Sequence, residues 1–411
     1  MIPSEFITDW ADALNRSIQW LTSSGIYNRN PAKHVTYGGV NSFYDVKRKT
    51  YPFVYTEITA YAVKLFLNLY RWYANPKYLK LAKKSGEWIT NVARYHGKDN
   101  KAEGTFAMGY DLRSNKFLTK GYSFDTGICI EALTDLYKET KNPRFLKCSL
   151  DATSWLLTVT RNQDGTFEPV YDWSTKSFLI NQRKWYEAPG SFHTKLGMGL
   201  LDLWELTRDP LYVEAAKKIG EWAIEQQKED GAFRTNIFNE NTNTHAHCYT
   251  LEGLLYAYEK LSSHRYLNSI AKGSEWLLHL QENDGGFYLN YSENSHDNIK
   301  PVYAVAQAIR IWIILYKLTR DTRFYDAALR ATRFLLEVQN TGKSQMPTRR
   351  FVRDPNAYGS FCEEVKEYFK GLIKIRSTRM SSWTTIFSIH ALSMLENAKD
   401  VDYHSSILEL F

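Results

Sequence analysis

The chain has 411 residues, 44% of them hydrophobic, 15% aromatic and 24% charged, with a formal net charge of +7. So large an apolar share excludes a disordered chain, and 22 Gly and 11 Pro are too few for a fibrous repeat. Four Cys without CxxC or paired spacing exclude a disulfide scaffold and offer no thiolate zinc site.

The chain starts MIPSEFITDWADAL, without a basic segment leading into an apolar one, so no secretory signal is read. The longest compact apolar stretch, Ile309 to Tyr316, is broken by Arg310 and falls short of the ~20 residues that cross a bilayer. A cytoplasmic protein without a membrane partner is expected.

In chain order, two kinds of helix alternate. DWADALNRSIQWL carries Trp20 and precedes ITAYAVKLFLNLY. PKYLKLAKKSGEW carries Trp88 and precedes GICIEALTDLY. NPRFLKCSLDATSW carries Trp155 and precedes KLGMGLLDLWEL. DPLYVEAAKKIGEW carries Trp222 and precedes TLEGLLYAYEKL. HRYLNSIAKGSEW carries Trp276 and precedes VAQAIRIWIILYKL. DTRFYDAALRATRF has Phe334 in place of the Trp and precedes TTIFSIHALSML.

Anchors at 20, 88, 155, 222, 276 and 334 mark six units of similar length, the signature of a repeat architecture. The second helix of each unit is apolar on more than one face, which predicts burial. The Trp-bearing helices show one apolar stripe, as in Ala215, Ala216, Ile219 and Trp222 against Lys217, Lys218 and Glu221. Six inner and six outer helices predict an all-α fold, a closed (α/α)6 toroid spanning residues 1–411 as a single domain. Closure packs the terminal units together, so no polar end caps are needed.

The Asp-Gly-x-Phe phrases at Asp164, Asp230 and Asp284 read as turns whose Phe plugs the junction between outer helices. Their repetition favours scaffold over chemistry. Inner-to-outer connections are short, as in Thr207 to Pro210. Outer-to-inner connections are long, as in Tyr95 to Phe124, Gln163 to Phe192 and Asn340 to Met380. The long loops gather on one face, above the inner-helix N-termini, whose free N–H groups favour anions.

Chemistry is therefore sought at inner-helix starts and in these loops. The starts supply Tyr55, Glu57 and Tyr61, then Tyr122 and Asp125, then His193. Next come His245, His247 and Tyr249, then Tyr303 and Gln307, and last Trp383. Glu57 and Asp125 come from adjacent units and form a possible acid/base pair, although an acidic residue in a first turn also serves the helix dipole. His193, His245 and His247 are candidate proton carriers. His245-x-His247 lacks an obvious third ligand, so neither metal nor cofactor is expected. The loops add Trp185, Tyr186, Arg349, Arg350 and Arg353, and flat rings stack on sugar faces while guanidinium groups grip carboxylates. The Lys47-Arg48-Lys49 run and the Lys374, Arg376, Arg379 cluster match no nucleic-acid motif, and no nucleic-acid partner is expected.

The repeat pattern resembles the six-hairpin glycosidase superfamily over nearly the whole chain. SFDTGICIEALTDLYKETKNPRFLKCSLDATSWLL is similar to the unsaturated glucuronyl hydrolases, whose catalytic Asp stands in an Asp-x-Gly context matched by Asp125 and Gly127. In the next repeat those enzymes carry a second Asp where this chain has His193. TEITAY, SFDTG and THAHCYTLEGLL resemble toroidal proteins of polysaccharide gene clusters related to glucuronyl C5-epimerase. The N-acylglucosamine 2-epimerases, which use inner-helix histidines, are similar in architecture.

The resemblance implies a carbohydrate-active enzyme working on an oligosaccharide or polysaccharide, anionic and uronate-containing. In the hydrolytic version Asp125 is general acid or base, Glu57 its partner, and His193 or His247 orients or shuttles protons. Tyr55, Tyr249, Trp185 and Trp383 form stacking walls, and Tyr61, Tyr122, Tyr186, His245, Tyr303 and Arg349 make further substrate contacts. A sugar epimerase and a non-catalytic glycan-binding toroid are the alternatives.

Overall fold

The computed structural model describes residues 4–341, 354–369, 371–396 and 402–411. Its helices in chain order are α1 (Ser4–Ser23), α2 (Thr56–Tyr73), α3 (Pro76–Trp88), α4 (Ser123–Thr140), α5 (Pro143–Trp155), α6 (Leu196–Thr207) and α7 (Pro210–Glu225). There follow α8 (Thr244–Leu261), α9 (His264–His279), α10 (Val302–Thr319), α11 (Thr322–Val338), α12 (Ser382–Glu396) and the short α13 (Tyr403–Leu408).

The even-numbered helices are the inner ring. Each packs on the next, from α2 through α4, α6, α8 and α10 to α12, and α12 packs back on α2. That last contact closes the toroid. The outer helices α3, α5, α7, α9 and α11 each pack on the inner helix just before them. The outer helix α1 packs on α12, so the sixth hairpin joins the two ends of the chain.

Local sequence makes the tight inner-to-outer reversals. The inner helices end in a left-handed residue, Ala74, Lys141, Arg208, Ser262 or Arg320, with φ between 49° and 62°. The next residue caps the outer helix: Asn75, Asn142, Asp209 and Asp321 each accept from the backbone N–H two positions on. Pro stands at the first helical position of α3, α5 and α7, where its missing N–H costs nothing.

The Asp-Gly turns are structural, as their repetition implied. Asp164, Asp230 and Asp284 each accept from the backbone N–H two residues on. Phe167, Phe233 and Phe287 are completely buried. Gly231 and Gly285 adopt φ of 96° and 88°, and an added Cβ would lie 2.3 Å from the Lys272 carbonyl oxygen and 2.1 Å from that of Arg330. The same left-handed glycine recurs against an outer-helix carbonyl at Gly38, Gly104 and Gly359, where no Asp-Gly marks it.

Trp20, Trp88 and Trp155 are buried and donate their indole N–H to the carbonyls of Asn356, Val35 and Lys101. Among the described residues one helix, α10, is long and apolar enough to cross a membrane, and 83% of it is buried in the ring. Its Arg310 is fully buried and ion-paired.

The long loops gather on one face. Each outer-to-inner connection there contributes at least one short strand, and these pair antiparallel, often with a strand of another loop. The strand Phe43–Asp45 pairs with Arg379–Ser381, which ties the first long loop to the last.

Candidate active site

The inner-helix starts surround a cavity of about 520 Å³ that opens on the loop face. Glu57 is the second residue of α2 and Asp125 the third of α4, and both line it. Neither helix has a side-chain N-cap, so first-turn donors are left uncapped near these carboxylates.

Burial pushes the Glu57 carboxyl up to about 7. Hydrogen bonding from the Tyr55, Tyr61 and Tyr249 hydroxyls opposes that rise. Burial also raises Asp125 well above the usual carboxylate range, and the negative charge of Glu57 raises it further. Asp125 Oδ2 is buried without a hydrogen-bond partner. Two carboxyls from neighbouring inner helices thus share one low-dielectric space, where the second negative charge is disfavoured. The two carboxyls therefore titrate as a coupled pair, with burial favouring retention of a proton between them.

Tyr55, Tyr122, Trp185, Tyr186, His245, Tyr249, Tyr303 and Trp383 all line the cavity. Tyr122 donates to Glu187 at 3.1 Å, which fixes its ring. Tyr61 stands behind the wall, its hydroxyl 2.9 Å from that of Tyr249. Arg349, like Arg350 and Arg353, lies outside the described residues.

His245 and His247 part company. Two residues on a helix differ by about 200°, so they leave α8 on opposite sides. His245 faces the cavity. His247 is fully buried, accepts from the Phe233 backbone N–H at 3.3 Å and donates to the Gly273 carbonyl at 3.0 Å. Its ring packs against Trp276, and burial lowers its pKa to about 4.

His193 is likewise placed away from the cavity. It sits in a 3-10 turn, Ser191–Lys195, between Phe167 and Phe192, with neither ring nitrogen hydrogen-bonded. Burial lowers its pKa to about 3. The proton-carrying role expected of His193 or His247 therefore has no geometric support, and His245 is the histidine that meets the cavity.

The tautomer of His245 follows from its neighbours. Its Nδ1 lies 2.5 Å from Gln307 Oε1. Gln307 Nε2 donates to Glu252 Oε2 at 3.2 Å, and Glu252 is held by Lys195 at 2.9 Å and Arg310 at 2.5 Å. A carboxylate between two cations only accepts, which fixes the Gln307 amide with its oxygen toward the ring. His245 must then carry its proton on Nδ1, leaving Nε2 as the acceptor. Burial lowers its pKa to about 3, so the ring stays neutral.

Sequence reasoning missed several lining residues: Ser42, Phe43, Phe53, Met108, Glu363 and the role of Arg379. Arg379 lies 4.9 Å from the centre of the Phe43 ring and 3.4 Å from Glu363. No local pattern marks these residues, because strand pairing between distant loops brings them together. Among the described residues, no group of three His, Cys, Asp or Glu is placed to hold a metal ion.

No family model and no curated protein matches the sequence. Solved structures share the fold. The cellobiose 2-epimerase from Bacillus thermoamylovorans B4167 superposes with a TM-score of 0.75 at 12% identity, covering 95% of this chain and 100% of that one. A D-mannose isomerase gives 0.71 at 12% identity, covering 97% and 100%. An unsaturated glucuronyl hydrolase specific for heparin gives 0.66 at 10% identity, covering 96% and 99%. The architecture is thus an (α/α)6 toroid shared with these proteins, and the resemblance read from the repeats holds at the level of fold.

Proposed function

We propose that the protein is a carbohydrate-active enzyme that hydrolyses a glycosidic bond in an oligosaccharide. The carrying observation is the Glu57–Asp125 pair: two buried carboxyls that line one aromatic-walled cavity, both with proton affinity raised by burial. In this reading the pair holds one proton near neutral pH, carried by Asp125, with Glu57 ionised. That is the division of labour glycoside cleavage requires.

Asp125 gives its proton to the glycosidic oxygen as the carbon–oxygen bond breaks, and Glu57 faces the positive charge that develops on the sugar. Water then adds to the sugar, supplying the hydroxyl, and gives a proton to Asp125, which restores the acid. The rings of Tyr55, Tyr249, Tyr303, Trp185 and Trp383 stack on sugar faces and exclude water. Arg379 at the cavity mouth suits a uronate carboxylate.

The test is Asp125→Asn assayed by release of reducing ends from uronate-containing and neutral oligosaccharides. Turnover is expected to fall by about 10²–10⁴-fold, the usual contribution of a general acid. Undiminished turnover removes Asp125 from the role.

One observation favours a second reading, a sugar epimerase. The neutral His245 presents Nε2 as an acceptor in the same cavity, fit to take a proton from a carbon next to a carbonyl or carboxylate. Deuterium from heavy water entering a sugar of unchanged length supports this reading, whereas chain shortening supports hydrolysis.

A further inference from the structure

Beside the deep cavity lies a second one, of about 420 Å³, with Phe43 as a shared wall. Its edges are continuous with the first in the strand register. Asp45, which lines the second cavity, is paired across the strands with Arg379 of the first. Phe53 of the first is paired with Asp111 of the second. Residues so paired have Cα atoms about 4.5–5.5 Å apart, so the two cavities adjoin across Phe43 along one groove-like face.

The second cavity carries two guanidinium groups, Arg48 and Arg113. Its acidic residues are largely committed to turns. Asp45 Oδ1 accepts from the backbone N–H of Lys47 and Arg48. Asp111 Oδ1 accepts from the backbone N–H of Arg113 and Ser114 and from the Ser114 hydroxyl. Arg48 touches Asp45 Oδ2 at 3.1 Å yet keeps 75% of its side chain exposed. Arg113 is exposed as well. These turns hold the two arginines on the groove wall while leaving guanidinium edges free. The groove then runs on past Tyr51 and Leu112 into a further cavity of about 660 Å³, which carries Lys33 and His34.

We propose that this groove is a second binding subsite, in which Arg48 and Arg113 grip the carboxylate of a uronate residue next to the sugar held in the deep cavity. The proposal rests on the glycan reading of that cavity and narrows its substrate to an acidic chain of at least two sugars. A planar guanidinium meets a carboxylate with two parallel hydrogen bonds, and the exposed setting leaves little desolvation to oppose them. The rings of Phe43 and Tyr51 give the same sugar an apolar surface.

The test is titration of the Asp125→Asn protein with three probes. They are a tetrasaccharide alternating uronate and neutral hexose, its carboxyl-reduced counterpart, and the matching disaccharide. The acidic tetrasaccharide is expected to bind at least tenfold more tightly than its carboxyl-reduced counterpart, and the acidic disaccharide, which spans both subsites, to keep most of that affinity. Arg48→Gln/Arg113→Gln is expected to cut that preference to below threefold, and both residues are exposed, so the fold should stand; circular dichroism checks it. Equal affinity for the acidic and reduced tetrasaccharides, a preference that survives the double substitution, or no binding at all overturns the subsite. Arginine-dependent binding without turnover by the unsubstituted enzyme upholds the subsite and overturns hydrolysis instead.

Discussion

His245 Nδ1 lies 2.5 Å from Gln307 Oε1, a bond between α8 and α10 that joins the cavity wall to a fully buried charge network. Because Gln307 is itself fixed by Glu252, the bond dictates where the imidazole proton resides. Nitrogen-15 shifts of the imidazole should show the Nδ1–H tautomer, with no protonation between pH 5 and 8. Gln307→Leu should produce a mixture of tautomers and, where His245 takes a proton as in the epimerase reading, lower turnover by about 10–100-fold, as loss of an orienting partner does around metal-bound histidines. An Nε2–H tautomer in the unsubstituted protein would contradict the assignment.

The carboxyl pair sets a pH dependence. Glu57 has its pKa raised to about 7, so it is protonated below that pH and ionised above it. Burial and the charge of Glu57 raise Asp125 as well, so the two carboxyls titrate as a coupled pair. If Glu57 acts ionised and Asp125 protonated, kcat/KM rises as pH climbs through about 7 and falls again at higher pH. Glu57→Gln should remove the rising limb and lower turnover by about 10²–10⁴-fold. A profile already flat from pH 5 to 8 in the unsubstituted protein would contradict it.

Glu252 accepts from Lys195, Arg310 and Gln307, and none of the three ionic groups is exposed. Glu252→Ala would strand two buried cations without their anion. Removing one partner of a buried ion pair costs about 3–5 kcal/mol, which urea unfolding followed by tryptophan fluorescence would register. A midpoint close to that of the unsubstituted protein would show that the network is not needed for stability.

Gly253 on α8 lets the helix approach the turn before α6. A Cβ there would lie 2.5 Å from the Thr194 carbonyl carbon, which is backbone and cannot swing aside. Gly253→Ala should destabilise by about 1–3 kcal/mol. Gly197→Ala is the contrast, since its Cβ would meet Ala216 at 3.7 Å, an ordinary contact. That change should hold or raise stability by up to about 1 kcal/mol through helix propensity. Equal effects of the two substitutions in thermal unfolding would refute the packing explanation.

The sequence alone determined the ring. Helical periodicity, cap residues and Asp-Gly turns act within a few residues of one another, so six hairpins and their inner and outer faces were legible as a repeating pattern. Glu57 and Asp125 were legible too, because the start of an inner helix is a position that the pattern locates. The tertiary structure decided which neighbours those carboxyls meet and which histidine faces inward. His245 and His247 stand two residues apart in one motif, and only the rotation of α8 within the ring sends one to the cavity and the other to Trp276. The pairing of Phe43–Asp45 with Arg379–Ser381 was hidden for a different reason: a contact across more than three hundred residues leaves no local period to read. Side-chain direction and long-range pairing arise when the ring closes, and closure belongs to the whole chain.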